Sequence, residues 1–421
     1  MIDVVVVGAG LAGLACAQDL VRAGVHCTVL EAADGVGGRV RTDKVDGYQL
    51  DRGFQVVLTA YPQIQQRFAV GALEFCLFEP GALVRRRGRF HRVGDPLRRP
   101  LQLPPTLVAP IGSLVDKARL ARMILDVRRH SVPELLRRPD MATSERLANA
   151  GFSSLMIESF WQPLFAGIQL DPLLEVSSRR FDVILRMLAV GATAVPRLGM
   201  GALAAQLEST LPDETVRLGA RVARVDDAGV VLDDGERVDA RVVVVASDGP
   251  SAHRLLGDRV ADPGSRAVGC CWFAASSAPV AGRTLVLDGE GSGPVKNLAV
   301  MSEVSPSYAP PGRALIAAAV PGDEALDPSV TVRVREQLAR WFGSATTEWE
   351  HLRTDVIAHG QPVQAPPFAP KQRVALGGGL FVCGDHRDTA STQGAMFSGE
   401  RTAAAVLQHL HGARARPSGD S

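Results

Sequence analysis

With 46 Lys and Arg against 45 Asp and Glu in 421 residues, the chain is close to neutral at +1, which speaks against nucleic acid as its general partner. That length is too great for one simple core and suits two interleaved domains, while no apolar stretch approaches the roughly 18–20 residues that span a bilayer. The cysteines Cys16, Cys27, Cys76, Cys270, Cys271 and Cys383 form no Cys-x-x-Cys pair and stand at no metal spacing with histidine, so no metal site and a reducing, cytoplasmic setting are expected. The charged start of a secretory signal is missing. Lysine occurs only at Lys44, Lys117, Lys296 and Lys371, an arginine bias typical of a bacterial gene of high G+C content.

The first forty-two residues carry the sharpest signal. Ile2 to Val7 has the length and β-branched content of a buried parallel strand and runs into Gly8-Ala9-Gly10-Leu11-Ala12-Gly13. Gly8 allows a tight turn, Gly10 lets a pyrophosphate approach the backbone, and Gly13 lets the following helix pack on the strand. The helix N-terminus then offers unpaired N–H groups and a positive dipole end to phosphate. Glu31, with Ala32 beside it, lies 23 positions after Gly8 at the end of a second strand, where a carboxylate accepts from a ribose. Strand, glycines, helix, strand and acid in register predict a bound dinucleotide.

The residues that follow, Gly37-Gly38-Arg39 and then Asp51-Arg52-Gly53-Phe54, resemble the flavin-containing amine oxidase superfamily, which also holds protoporphyrinogen oxidases and carotenoid desaturases and isomerases. The resemblance implies FAD: the glycine pair and Arg39 close over its pyrophosphate, and Asp51 to Phe54 approach the flavin ring.

Residues 85–138 carry fourteen Arg or Lys against four Asp or Glu. Pro96, Pro100, Pro104, Pro105 and Pro110 predict loop for the first half. From Ser113, the spacing of Leu114, Val115, Ala118, Leu120, Ala121, Ile124 and Leu125 predicts a helix with Arg119, Arg122, Arg128 and Arg129 on other faces. Two readings stand: a solvated basic face, or a peripheral surface on anionic lipid through which an apolar substrate enters. Phe152 to Gly201 is apolar, with Phe160-Trp161 at its centre and a buried helix expected from Phe181 to Val195. It reads equally as core or as the lining of a large apolar pocket. Met200, ahead of a predicted helix, is expected near the flavin.

Thr215-Val216, Val222, Val225 and Val230 to Leu232 predict a β meander feeding the strand Arg241 to Ala246. The superfamily resemblance implies that the strand around Val222 contacts the adenine, and a plain hairpin is the other reading of that position. Near the carboxy terminus, Leu380 to Gly384-Asp385 reads as a strand ending in a carboxylate, and Thr392-Gln393-Gly394-Ala395-Met396 opens a helix. Asp385 can accept from ribityl hydroxyls, while the N–H groups of Ala395 and Met396 are expected to face the flavin N1 and C2 carbonyl, where charge develops on reduction. In the superfamily this is the second FAD motif, completed here by Ser398-Gly399.

Amine oxidases of the group place a lysine near flavin N5. Here that position falls on Gly269, and Lys296 is the weak catalytic candidate, against the plainer reading of a solvent-facing lysine. His359-Gly360-Gln361-Pro362 stands where an aromatic cage and a flavin-linking cysteine would be. The expected function is therefore an oxidoreductase with non-covalent FAD that removes a hydride from a small hydrophobic molecule. A flavin-dependent double-bond isomerase, a conventional amine oxidase and a flavin-binding carrier are the alternatives. The expected fold is α/β, a Rossmann-like FAD-binding domain of residues 1–84, 196–257 and 371–412 interleaved with an α+β substrate domain of 85–195 and 258–370, with a disordered tail of 413–421.

Overall fold

The computed structural model describes residues 2–95 and 98–414. Ile2–Val7 is flanked by the strands Cys27–Leu30 and Arg237–Val245, both parallel to it. Val216–Arg217 and Leu380–Val382 extend the sheet on either side, again in parallel. Such a sheet is covered on both faces, and the valines at 4–7 and 242–245 fill both with β-branched side chains. The front half of Arg237–Val245 folds back through the antiparallel strands Gly229–Leu232 and Val222–Asp226. The meander therefore begins at Val222, and Val216, expected within it, belongs to the parallel sheet.

Helix Leu11–Arg22 lies between this sheet and the last helix, Thr392–Arg414. A Cβ on Gly13 would collide with the carbonyl oxygen of Gly8, and one on Gly399 with that of Ala12. Glycine at these two positions lets strand, first helix and last helix stack at backbone distance. The last helix reaches Arg414, so residues 413 and 414 leave the expected tail; residues 415–421 lie outside the described residues.

A second sheet has seven strands in the order Glu350–Gln361, Arg266–Ala275, Ala314–Pro321, Asn297–Val300, Leu285–Asp288, Gly81–Arg86, Arg89–Gly94. The boundary expected at residue 85 falls inside Gly81–Arg86, whose parallel partner is the distant Leu285–Asp288. Residues 100–190 are mainly helical. Pro104 and Pro105, expected in loop, sit in the first turn of helix Leu103–Val108, where a missing N–H leaves no bond unmade; Pro96 lies outside the described residues. Ser113 and Asp116 form a reciprocal capping box that starts helix Leu114–Arg129 as predicted. The helix expected to Val195 stops at Val190, before Gly191, and Thr193–Val195 is a strand between Val57–Leu58 and Cys76–Leu77. No described helix is long and apolar enough to cross a membrane.

Asp51 ties these layers together. It is fully buried and accepts hydrogen bonds from Thr42 Oγ1 at 2.6 Å, from the Met200 amide at 2.9 Å and from Tyr308 Oη at 2.8 Å. Burial raises its carboxyl to about 6 against the pull of those three donors. Asp51→Ala should lower stability by about 3 kcal/mol, because three buried donors lose one acceptor, and Tyr308→Phe by about 1 kcal/mol. Urea unfolding of the two variants beside the parent measures both.

Candidate active site

Gly10 caps helix Leu11–Arg22 without any side-chain hydrogen bond, and Gly10, Leu11 and Ala12 line one end of a cavity of about 1210 Å³. A Cβ at Gly10 would meet nothing within 4 Å. The uncapped first-turn amides thus face open space, which suits a phosphate. Gly8, Glu31, Ala32, Gly38 and Val222 line the same end. Glu31 already accepts from the amides of Ala9 at 2.7 Å and Ala33 at 2.9 Å, so each carboxylate oxygen has a lone pair left for a ligand. Ala9 and Gly13 do not reach the cavity: Ala9 holds Glu31 in place, and Gly13 is the packing contact between helix and strand.

Arg39 and Asp385 join the two ends of the chain. Arg39 Nη2 donates to Asp385 Oδ1 at 2.8 Å, and its Nη1 donates to the Gly360 carbonyl at 2.6 Å. Both residues line the cavity with Gly53, Phe54 and Gly384. Burial pushes the Asp385 carboxyl up, but the charge and hydrogen bond of Arg39 outweigh it and hold the group below the ordinary range. One oxygen of Asp385, Oδ2, remains free of protein donors among the described residues.

The start of the last helix is out of register with the expectation. Ala395 lines the cavity, but its amide donates to the Ser391 carbonyl at 2.9 Å, as the fourth residue of a helix must. Met396 is fully buried and turned away. The amides ahead of the first closed turn are those of Thr392 and Gln393, one turn earlier. The Gln393 side chain is not in the cavity either: its Oε1 accepts from the Gln63 amide at 2.9 Å and caps another helix.

The rest of the cavity is mainly apolar. Strand Arg266–Ala275 presents Val268 to it, opposite Ile357 of the neighbouring strand. Gly269 points the other way, since alternate residues of a strand face opposite sides; a Cβ there would lie 3.3 Å from that of Ala325. Lys296 is corrected on the same ground. It donates to the Gly293 carbonyl at 3.1 Å and stays outside, while its neighbour Asn297 faces in. Met200 is likewise absent from the lining, its amide being committed to Asp51. Of the apolar stretch, Phe160, Trp161, Leu164 and Ile168 line the cavity, and Trp161 also packs against Phe152, Phe165 and Phe181. Pocket and core are thus two sides of one cluster.

Arg180, Tyr61 and Gln361 meet at the inner end of this apolar chamber. Arg180 Nη2 donates to Gln361 Oε1 and, at 2.7 Å, to the Ala390 carbonyl. Burial raises the Tyr61 hydroxyl to about 12 and lowers the Arg180 guanidinium to about 10, so both keep their protons at neutral pH. Sequence analysis missed Arg180; its one signal was an arginine inside the apolar helix Ser178–Val190.

Next to Asp385, His386 is buried under Gly384 with neither ring nitrogen hydrogen-bonded, and burial lowers its imidazole from 6.5 to about 4. On acidification the unfolded chain takes this proton first. The stability it confers is therefore complete above pH 6.5 and is lost as the pH falls through 4, by roughly 3 kcal/mol in all. His386→Phe keeps a ring over Gly384 and should lose less stability than the parent between pH 7 and 4, as followed by urea midpoints across that range.

A model of the family described as flavin containing amine oxidoreductase matches residues 11–407. The phytoene dehydrogenase of Streptomyces griseus is 30% identical over 291 residues, 60% of this chain and 56% of that protein, so the match spans little more than half its length. The putrescine oxidase of Kocuria rosea is 58% identical over 53 residues, 13% of this chain and 11% of that one. Among solved structures, an oxidoreductase from Methanosarcina mazei superposes with a TM-score of 0.74 over 97% of this chain and 100% of its own, at 19% identity, which shows a common fold. The chain belongs to the flavin-containing amine oxidoreductase family.

Proposed function

We propose that this protein is an oxidoreductase with non-covalently held FAD that removes a hydride from a hydrophobic small molecule taken up at an anionic membrane surface. The observation that carries the proposal is the continuity of the cavity, from the glycine loop to an apolar chamber that opens among Leu103, Leu107 and Leu114. The residues fit the cofactor. The amides of Leu11 and Ala12 would take its pyrophosphate, Glu31 its ribose, the Val222 strand its adenine, and Asp385 its ribityl hydroxyls. No cysteine or histidine lines the cavity among the described residues, which supports attachment by hydrogen bonds alone. When bound, FAD supplies the two-electron acceptor.

The protein's own part is to exclude water, orient the substrate and offer no competing chemistry. Val268, Ile357, Phe160 and Leu164 form apolar walls, and Lys117 is the one lysine in the described lining. With Tyr61 and Arg180 holding their protons, the inner end lacks a base to deprotonate an ammonium, which favours an unactivated C–H donor over an amine. The likeness to a phytoene dehydrogenase supports the same choice.

The mouth supports the membrane. Leu101 and Val108 are 93% and 82% exposed, and Leu114 and Val115 also face out. Arg98, Arg99 and Lys117 line the opening beside them, and Arg122 is exposed further along the same helix. Apolar side chains at a basic rim match the boundary of an anionic bilayer.

Purified protein should be yellow and release FAD on acid precipitation, and Glu31→Ala should weaken flavin binding by about 1.5–3 kcal/mol. Mixed anaerobically with lipophilic polyene precursors, the holoenzyme should lose the visible absorption band of its oxidised flavin. Brisk bleaching by putrescine or amino acids, with none by apolar donors, would overturn the substrate class. Binding to phosphatidylglycerol vesicles should fall with added salt, because each basic residue near the surface contributes about 1 kcal/mol over a Debye length of about 8–10 Å. Replacing Leu101, Val108 and Val115 by Ser should abolish it without loss of flavin; unchanged binding would remove the membrane from the proposal.

A further inference from the structure

Arg180 is 2% exposed and lies on the wall of the apolar chamber. Both N–H groups of its Nη2 are used by Gln361 and Ala390, whereas Nε and Nη1 have no protein partner. Its charge is also unmatched. The acids that influence it are Asp385 and Asp171, and these are already paired with Arg39 and Arg266. A buried cation with neither counter-ion nor full hydrogen bonding is strongly unfavourable in the free protein, and the residue that carries it lines the cavity. Even with its affinity for the proton reduced by burial, it stays cationic at neutral pH.

The same helix shows what stands next to that charge. Ile184 and Leu188, one and two turns beyond Arg180, line the cavity with Leu185. The Leu188 carbonyl accepts from Arg98 Nη2 at 2.9 Å, which brings the far end of this stripe to the mouth. One charged point at the inner end and an apolar track leading outward form a negative image of an amphiphile.

Resting on the proposal that this chamber holds the substrate, we infer that Arg180 receives a carboxylate of the substrate, which enters head first and leaves its hydrocarbon chain along Ile184 and Leu188. A single unpaired guanidinium matches a monoanion better than a phosphate dianion, and its Nη1 N–H pair is free for charge-assisted bonds. The substrate class becomes a long-chain or polycyclic apolar carboxylic acid.

The test uses the FAD-loaded enzyme with decanoate, methyl decanoate and decanol as probes, and reads perturbation of the flavin absorbance. Decanoate should bind at least about tenfold more tightly than the ester or the alcohol, a ratio expected for a desolvated charge-assisted pair. Equal affinities of the three in the parent protein would overturn the inference without any variant. In Arg180→Met the decanoate affinity should fall to that of decanol while flavin content is unchanged; in Arg180→Lys, which keeps a charge should the methionine variant not fold, part of the preference should survive. A preference for decanoate that persists in Arg180→Met places the carboxylate elsewhere and also overturns it. If none of the probes perturbs the flavin, the chamber is not an apolar substrate site, and it is the proposed function that fails.

Discussion

The ion pair between Arg39 and Asp385 is the constraint on which the site depends. It lies where the glycine loop, the end of strand Glu350–Gln361 and the start of the last helix converge, because Arg39 also holds the Gly360 carbonyl. A carboxylate buried this deeply without a cation would take up a proton and lose its value as an acceptor. Paired, it stays charged and keeps one oxygen for a ligand. The same pair fixes Gly360 and therefore Gln361, which in turn positions Arg180. The glycine-loop end and the apolar end of the cavity are thus set by one chain of hydrogen bonds.

What was legible in the sequence was local. The strand, glycine loop, helix and Glu31 follow each other within thirty-one residues, and each has a conformational reason that neighbours in sequence reveal. The misplacements came from small errors of phase. Sequence spacing puts Gly269 at the lysine position, yet strand parity gives the cavity face to Val268; the same parity separates Lys296 from Asn297. A helix start misjudged by one turn moved the expected free amides from Thr392 and Gln393 to Ala395 and Met396. Arg180 could not have been found this way, because its meaning depends on Gln361 and Ala390, which no periodicity connects to it. Gly81–Arg86 forms a local hairpin with Arg89–Gly94, but its parallel pairing with Leu285–Asp288, some two hundred residues away, has no such local trace.

Helices Leu114–Arg129 and Ser178–Val190 show how amphipathic patterns can mislead. Each has an apolar stripe, and such a stripe ordinarily means burial against a core. Here Leu114, Ala118, Ala121 and Ile124 of one, and Ile184 and Leu188 of the other, line a cavity. Apolar surface left facing a space of this size is stability forgone, and the fold recovers it only when an apolar molecule fills the space. The exposed leucines and valines at the mouth are the outer continuation of the same surface.

The close packing at Gly399 has a consequence for synthesis. The last helix rests on the first through a contact that only glycine permits, and the cavity's charged pair needs residue 385 as well as residue 39. On the ribosome, the amino-terminal strand and its glycine loop emerge long before either partner exists. The nascent chain must therefore carry a half-built nucleotide site, with its sheet edge uncovered, through most of translation. Contacts of such sequence separation slow folding, and the interval they create is one in which chaperones, or the cofactor itself, can bind an unfinished protein.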